Sequence, residues 1–355
     1  MKVKKVALVP FYKFLEKNRI FKINSINDLN EQCIELKEYF KKNGYILETY
    51  DLSSFNNYEK YMFFRIEKNI IIKLFLKNKL KSSVYLHYEP PTVIPYHDKK
   101  ELQKISNMFG KILTWNDELV DGKKFFKYYY PAPHQIKISL DEVKNKRKLI
   151  CNISGNKKSN FINELYSERR KAIKFFEEKI NLEFGLYGRG WNKVEFPSYK
   201  GEIDNKYEVL KKYKFSLCFE NTKNLEGYIT EKIYDCFYTR TIPIYLGSQN
   251  ISDYIPNECY IDFRKYSNYE ELYLELINMS EEEYKKRVQA IDKYLKSENF
   301  NLLSSENFCR TLYQTLIEKE SINFSYLKAL IEMIRFFFLE KIKRKIKRKV
   351  MKEGK

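Results

Sequence analysis

The chain has 355 residues, 43% hydrophobic and 32% charged, with a formal net charge of +19. This length supports one large or two medium cores, and the balance excludes an intrinsically disordered chain. Residues 341–355 hold nine Lys or Arg and one Glu, or +8, so the other 340 residues supply 19 − 8 = +11; such an excess suits nucleic acid, an anionic membrane surface or a phosphorylated substrate.

In chain order, Val3–Phe11 reads as a strand, Ile26–Asn43 as a helix with Leu29, Cys33, Leu36 and Phe40 on one face, and Tyr45–Tyr50 as a strand. Apolar runs follow at Ile70–Leu76, Val84–Tyr88, Ile112–Trp115 and Phe125–Tyr130. Pro131–His134 closes this half, and Leu140–Arg147 links it to the next. The second half opens with a strand at Lys148–Ser154, a polar loop at Gly155–Ser159 and a helix from about 162 to 179. A strand at Leu182–Tyr187 then leads into Gly188-Arg189-Gly190-Trp191. Phe215–Phe219 reads as a buried strand, Thr230 as the N-cap of a helix carrying Ile233, Cys236 and Phe237, and Thr241–Gly247 as a returning strand. Cys259–Phe263 is a further strand, and charged helices span Tyr269–Lys319. Alternating strands and helices in both halves imply an α/β protein of two doubly wound domains, expected over residues 1–145 and 146–320.

The segment from Lys211 to Gly247, KKYKFSLCFENTKNLEGYITEKIYDCFYTRTIPIYLG, carries a family resemblance. Its YKFSLCFEN strand, GYITEK helix start and TIPIYLG strand, in this order and spacing, resemble the signature of glycosyltransferase family 10, the α-1,3/4-fucosyltransferases. YLHYEPP, KILTWNDELVDGKKFF and LYGRGW extend a weaker likeness across residues 85–320. The resemblance implies two Rossmann-like domains facing a cleft, the GT-B architecture, with an acceptor-side first domain and a second that binds a GDP-sugar.

A transferase of this type must hold a nucleotide, neutralise its departing diphosphate and deprotonate an acceptor hydroxyl. Glu231 suits the ribose hydroxyls, and Lys232 at a helix N-terminus suits the diphosphate. The resemblance carries donor contact onto Asn221, Tyr228, Glu231 and Lys232. It also places a second cation on the helix of YSERRKAIKFF, where Arg170 fits the spacing better than its neighbour Arg169. Arg189, in its glycine-bounded loop, is a further basic candidate for donor binding. Glu89, following the Val84–Tyr88 strand and stiffened by Pro90-Pro91, is the expected catalytic base; Asp117 and Glu118 stand in reserve. No D-x-D motif occurs and no Cys or His cluster has metal-ligand spacing, so no metal or other cofactor is expected. His87, His97 and His134 are scattered and read as structural.

The resemblance implies an inverting transfer of L-fucose from GDP-L-fucose to a glycan hydroxyl, with O3 of N-acetylglucosamine in a bacterial surface glycan as the expected acceptor; the residues alone select neither guanine nor fucose. A transferase of another nucleotide sugar, a basic nucleic-acid-binding protein and an inactive membrane scaffold are the competing readings, although no nucleic-acid motif orders the basic residues. The opening MKVKKVALVPFYKF holds an apolar run of about six residues, short for a signal peptide or a spanning helix. The six cysteines form no C-x-x-C pair, which fits reduced thiols in the cytoplasm. From residue 321 a basic tail is expected: Ile334, Phe338, Ile342, Ile346 and Val350 share a helical face amid Lys and Arg. Residues 331–351 would thus lie on the anionic inner face of a membrane.

Overall fold

The computed structural model describes residues 4–22, 28–132, 148–318 and 324–339. The chain divides into two compact units. One runs through Tyr128 and takes the chain up again at Cys309; the other is Tyr129–Phe308.

The first unit is built on β1 (Lys4–Val9), α1 (Asp28–Lys42), β2 (Tyr45–Thr49), β3 (Lys60–Phe63), α2 (Lys68–Leu76), β4 (Ser83–His87), α3 (Lys99–Ile105), β5 (Lys111–Thr114) and β6 (Phe125–Lys127). Its strands form one parallel sheet in the order β2-β1-β3-β4-β5-β6. Every residue of β4 is buried, as both faces of a parallel sheet require. Ala7, Phe63, Tyr85 and Ile112 of the strands pack against Ile71, Leu74, Leu102 and Ile105 of α2 and α3. Two elements go beyond the sequence reading. Strand β3 escaped notice because Lys60–Phe63 is only four residues long. The apolar run at Ile70–Leu76 is helical because its contacts lie along one face, with Ile70, Ile71 and Leu74 buried and Leu76 exposed.

The second unit contains β7 (Lys148–Ile153), α4 (Tyr166–Ile180), β8 (Gly185–Tyr187), α5 (Lys206–Leu210), β9 (Tyr213–Phe219), α6 (Glu231–Tyr238), β10 (Ile242–Leu246), β11 (Ile261–Asp262), α7 (Tyr269–Asn278), α8 (Glu281–Tyr294), α9 (Glu298–Asn301) and the start of α10 (Ser305–Tyr313). Its sheet is also parallel, in the order β11-β10-β9-β7-β8. The expected β9–α6–β10 unit is present, with Tyr245 opposite Cys218.

The described chain after Cys309 belongs to the first unit, where a second domain through residue 320 and a separate tail from 321 had been expected. The buried Lys111 ammonium donates to the Thr315 carbonyl at 2.6 Å. α11 (Tyr326–Ile334), continued by π-type turns to Leu339, inserts Ala329, Met333 and Phe337 into the first unit's core. Its opposite face leaves Leu327, Ile331, Ile334 and Phe338 exposed. The linker at Leu140–Arg147, His134 and the tail beyond Leu339 lie outside the described residues.

Candidate functional site

In a parallel sheet, the strand at which successive connections change direction opens a crevice at the carboxyl edge, where ligands bind. In the second sheet that point lies at β7 and β9, since the chain passes from β7 outward to β8 and returns on the other side to β9. A pocket of 210 Å3 opens there, lined among others by Ser154, Arg169, Lys206, Cys218, Glu231, Lys232 and Asp235.

Glu220, the middle residue of Phe219-Glu220-Asn221, organises this pocket. Its side chain is fully buried. One carboxylate oxygen accepts the Thr230 backbone N–H at 2.8 Å; the other accepts the Thr230 hydroxyl at 2.9 Å and the Lys232 ammonium at 3.0 Å. Thr230 is the N-cap of α6, as expected. Its hydroxyl makes no cap bond, because it is turned to Glu220. Gly247 makes room for this arrangement. A Cβ there would sit 2.5 Å from the Tyr245 hydroxyl and 2.6 Å from Glu220 Cγ. The signal for Glu220 was a carboxylate placed directly after a buried strand; read alone, it marked only the strand's end.

Lys232 stays protonated: burial disfavours its charge, but Glu220 and Glu231 more than offset this and raise its pKa above the usual lysine value. For Glu231, burial acts upward, while Lys232 and Lys206 act downward and prevail, so it is held ionised. Lys206 pairs with Asp235 at 2.7 Å. Lys206 and Asp235 went unremarked because their meaning depends on α5 packing beside α6.

The two adjacent arginines part company. Arg169 is buried and donates to the carbonyls of Phe219 at 2.7 Å and Glu220 at 2.9 Å; burial lowers its pKa, and its Nε has no hydrogen-bond partner among the described residues. Arg170 instead reaches Asn156 at 2.7 Å and pairs with Glu195, beside a second, basic pocket of 530 Å3 shared with Lys157, Lys158 and Lys174. The residue that shares the first pocket with Lys232 is therefore Arg169, where spacing had favoured Arg170. About 100° separates successive residues on a helix, and Arg169 falls on the buried stripe of Leu165, Ala172, Ile173 and Phe176.

Arg189 is placed away from the pocket, with its side chain 84% exposed and 3.3 Å from Glu202. Its flanking glycines serve the backbone. Gly188 has φ +116, and a Cβ there would meet the Ser154 carbonyl, to which the Trp191 indole also donates at 2.6 Å. The loop thus supports Ser154 in the pocket wall. Tyr228 is buried against Tyr130 and receives a 3.4 Å contact from the Asn221 amide, which puts its ring in the packing.

In the first unit, Glu89 is half-buried two residues beyond β4. Its loop is fixed on both sides: the Trp115 indole donates to the Tyr88 carbonyl at 2.9 Å, and His97 Nδ1 meets the Glu89 carbonyl at 2.5 Å. His97 also contacts the Tyr85 hydroxyl at 2.7 Å, and His87 contacts the Thr114 hydroxyl at 2.8 Å. Both rings are buried, which holds His97 down to about 4 and His87 well below the ordinary histidine range. Of the reserve carboxylates, Asp117 is paired with Lys127 at 2.5 Å and Glu118 with Lys99 at 3.0 Å. Among the described residues no group of three metal-ligating side chains occurs, and no helix is long and apolar enough to cross a membrane.

Residues 143–329 match the family model described as glycosyltransferase family 10 (fucosyltransferase), C-terminal. Over 69 residues, 19% of this chain and 14% of the relative, the sequence is 42% identical to the alpha-(1,3)-fucosyltransferase FucT of Helicobacter pylori. Over 193 residues, 53% of the chain, it is 29% identical to the bovine 4-galactosyl-N-acetylglucosaminide 3-alpha-L-fucosyltransferase 9. The latter alignment spans 46% of the bovine protein, so the chain covers less than half of either relative's length. Across 91% of this chain and 92% of the other, the fold is similar to that of an alpha1,3-fucosyltransferase solved with GDP, with a TM-score of 0.56 at 15% identity.

Proposed function

The chain belongs to glycosyltransferase family 10, and on that premise we propose that it transfers L-fucose from GDP-L-fucose to a glycan hydroxyl with inversion. The observation that carries this reading is the convergence of Arg169, Lys206 and Lys232 on one pocket at the β7/β9 crevice. As the bond between the fucose anomeric carbon and the diphosphate oxygen breaks, negative charge collects on GDP, and fixed cations stabilise it without reorganising. Glu231, ionised beside Lys232, suits the ribose hydroxyls. On the acceptor side, Glu89 takes the hydroxyl proton as the new carbon–oxygen bond forms. The bovine relative's name points to N-acetylglucosamine as the acceptor sugar and to its O3 as the nucleophile.

The membrane belongs to the same proposal. Leu327, Ile331, Ile334 and Phe338 form an exposed apolar stripe on α11 and its continuation, and nine Lys or Arg follow within residues 341–355. A stripe of this kind beside dense positive charge suits an anionic lipid surface, and it would hold a cytoplasmic enzyme at the inner face near a lipid-linked or surface-glycan acceptor.

Calorimetric titration with GDP, GDP-fucose and UDP-galactose tests the donor half. Saturable heat with the two guanine ligands alone, lost in Lys232→Ala, is the expected outcome; equal or stronger binding of UDP-galactose would overturn it in favour of another nucleotide sugar. Cosedimentation with phosphatidylglycerol vesicles, but not phosphatidylcholine vesicles, tests the membrane half.

A further inference from the structure

We propose that Tyr12 and Phe14 form a stacking platform for a pyranose ring of the acceptor glycan; the acceptor role rests on the glycosyl-transfer reading above. The platform lies at the first sheet's own crevice. With strand order β2-β1-β3, the connections change direction around β1, and Tyr12 and Phe14 lie on the loop leaving β1 after Val9.

That loop is held firmly. Arg65 donates to the Pro10 carbonyl at 3.0 Å and to Glu16 at 2.8 Å, and the Tyr50 hydroxyl also donates to Glu16 at 2.8 Å. Further on, Asn18 and Thr49 exchange hydrogen bonds of 2.9 and 2.8 Å. Phe11 packs on Phe64 and Tyr88 with ring centroids 4.7 and 5.1 Å away, and Leu15 is buried. Between these anchors Tyr12 and Phe14 turn outward, 56% and 64% exposed, with rings 5.4 Å apart and only 9° from parallel. Two parallel aromatic faces on an anchored loop at a ligand-binding edge cover no core of their own. They are a preformed apolar surface available to a ligand.

The neighbourhood selects the ligand. Glu89 follows Tyr88, on which Phe11 rests, and its charge adds to burial in raising the Tyr12 phenol pKa. A carboxylate on this side suits hydroxyl donors. A pyranose offers both parts: a face of C–H groups attracted to the negative face of an aromatic ring, and a rim of hydroxyls free to reach water or Glu89. The platform would therefore bind a neutral sugar next to the proposed base.

The test compares the wild type, the Tyr12→Ala/Phe14→Ala double variant and a Tyr12→Phe/Phe14→Tyr control that keeps both rings. Saturation-transfer NMR reports which protons of N-acetyllactosamine, lactose and N,N′-diacetylchitobiose touch aromatic side chains. Kinetics report KM for the acceptor, and calorimetry reports GDP affinity. The expected result is C–H saturation of at least one sugar in the wild type and the control, lost in the double alanine variant, with acceptor KM raised roughly tenfold. GDP affinity and slow hydrolysis of GDP-fucose should stay unchanged. Three outcomes would overturn the platform: no sugar saturated by the wild type, an unchanged KM in the alanine variant, or weakened GDP binding in that variant, which would make the rings a nucleotide contact. A wild type that binds these sugars through the platform but neither binds GDP nor consumes GDP-fucose would support the platform while removing the fucosyl-transfer reading.

Discussion

Glu220→Gln tests the centre of the proposed donor site. The wild-type carboxylate is fully buried and accepts three hydrogen bonds: from the Thr230 N–H, the Thr230 hydroxyl and the Lys232 ammonium. Glutamine keeps the shape but offers one acceptor oxygen. If that oxygen faces the Thr230 N–H, the amide NH2 points at the Lys232 ammonium, donor against donor; if it flips, the backbone N–H loses its partner. In the first case Lys232 keeps the Thr230 hydroxyl at 2.9 Å and the longer 4.0 Å contact with Glu231; in the second a neutral oxygen replaces its carboxylate. Removing one member of a buried ion pair costs about 3–5 kcal/mol; with Lys232 partly open to water, the lower figure, about 3 kcal/mol, is expected. For a unit of this size that lowers the melting temperature by about 6–12 °C.

Thermal unfolding followed by circular dichroism reads the effect, and Lys232→Met in the Glu220→Gln background isolates its cause. The double variant no longer buries an uncompensated cation, so it should be more stable than the sum of the single losses by about 1–2 kcal/mol. GDP should raise the melting temperature of Glu220→Gln more than that of the wild type, because the diphosphate replaces the missing counter-charge. A Glu220→Gln protein melting within about 2 °C of wild type, or a double variant that loses the plain sum, would refute the reasoning.

Gly247→Ala should destabilise the second unit by about 1–3 kcal/mol, since the new Cβ displaces the Tyr245 hydroxyl and the Glu220 stem; denaturant titration measures it. Arg189→Ala should leave both stability and GDP affinity within about 0.5 kcal/mol of wild type, because the guanidinium is exposed and pairs with an exposed Glu202; calorimetry and melting check both. His87 and His97 are neutral in the fold with depressed pKa values, so unfolding takes up protons below the ordinary histidine value of 6.5. Their stability contribution is complete above 6.5 and drains away as pH falls through about 4, each histidine adding a slope of about 1.4 kcal/mol per pH unit. Urea titrations from pH 7 to 5, above most carboxylate titration, should show this slope in the wild type and about half of it in His97→Gln.

Local features were legible in the sequence. The β9–α6–β10 unit has a buried strand, a polar cap and a returning strand within 37 residues, so neighbouring residues fix it. What escaped notice depends on distant contacts. The return of residues 309–339 to the first unit is set by core positions such as Ala329 and Met333, whose partners lie more than two hundred residues away. The division of labour between Arg169 and Arg170 follows from which face of α4 is buried; Leu165, Ala172, Ile173 and Phe176 carried that signal, but the adjacent arginines masked it. The glycines around Arg189 suggested a ligand loop. Gly188 is instead required by close backbone packing on Ser154, and Gly190 takes a positive φ beside Asn156.

The same packing explains how one pocket holds so many cations. Lys232 carries Glu220 and Lys206 carries Asp235 as built-in partners, and Arg169 donates to two carbonyls, so no ammonium or guanidinium faces another without an acceptor. Glu220 also takes the Thr230 hydroxyl that would otherwise cap α6. The first N–H groups of that helix therefore keep their positive end without a side-chain cap, next to Lys232. A diphosphate would find both the helix end and the ammonium already aligned, at the cost of loosening one carboxylate contact. On the proposed donor reading, Glu220 would both orient the site and limit its affinity for GDP, and a variant that binds GDP more tightly should release it more slowly and turn over less.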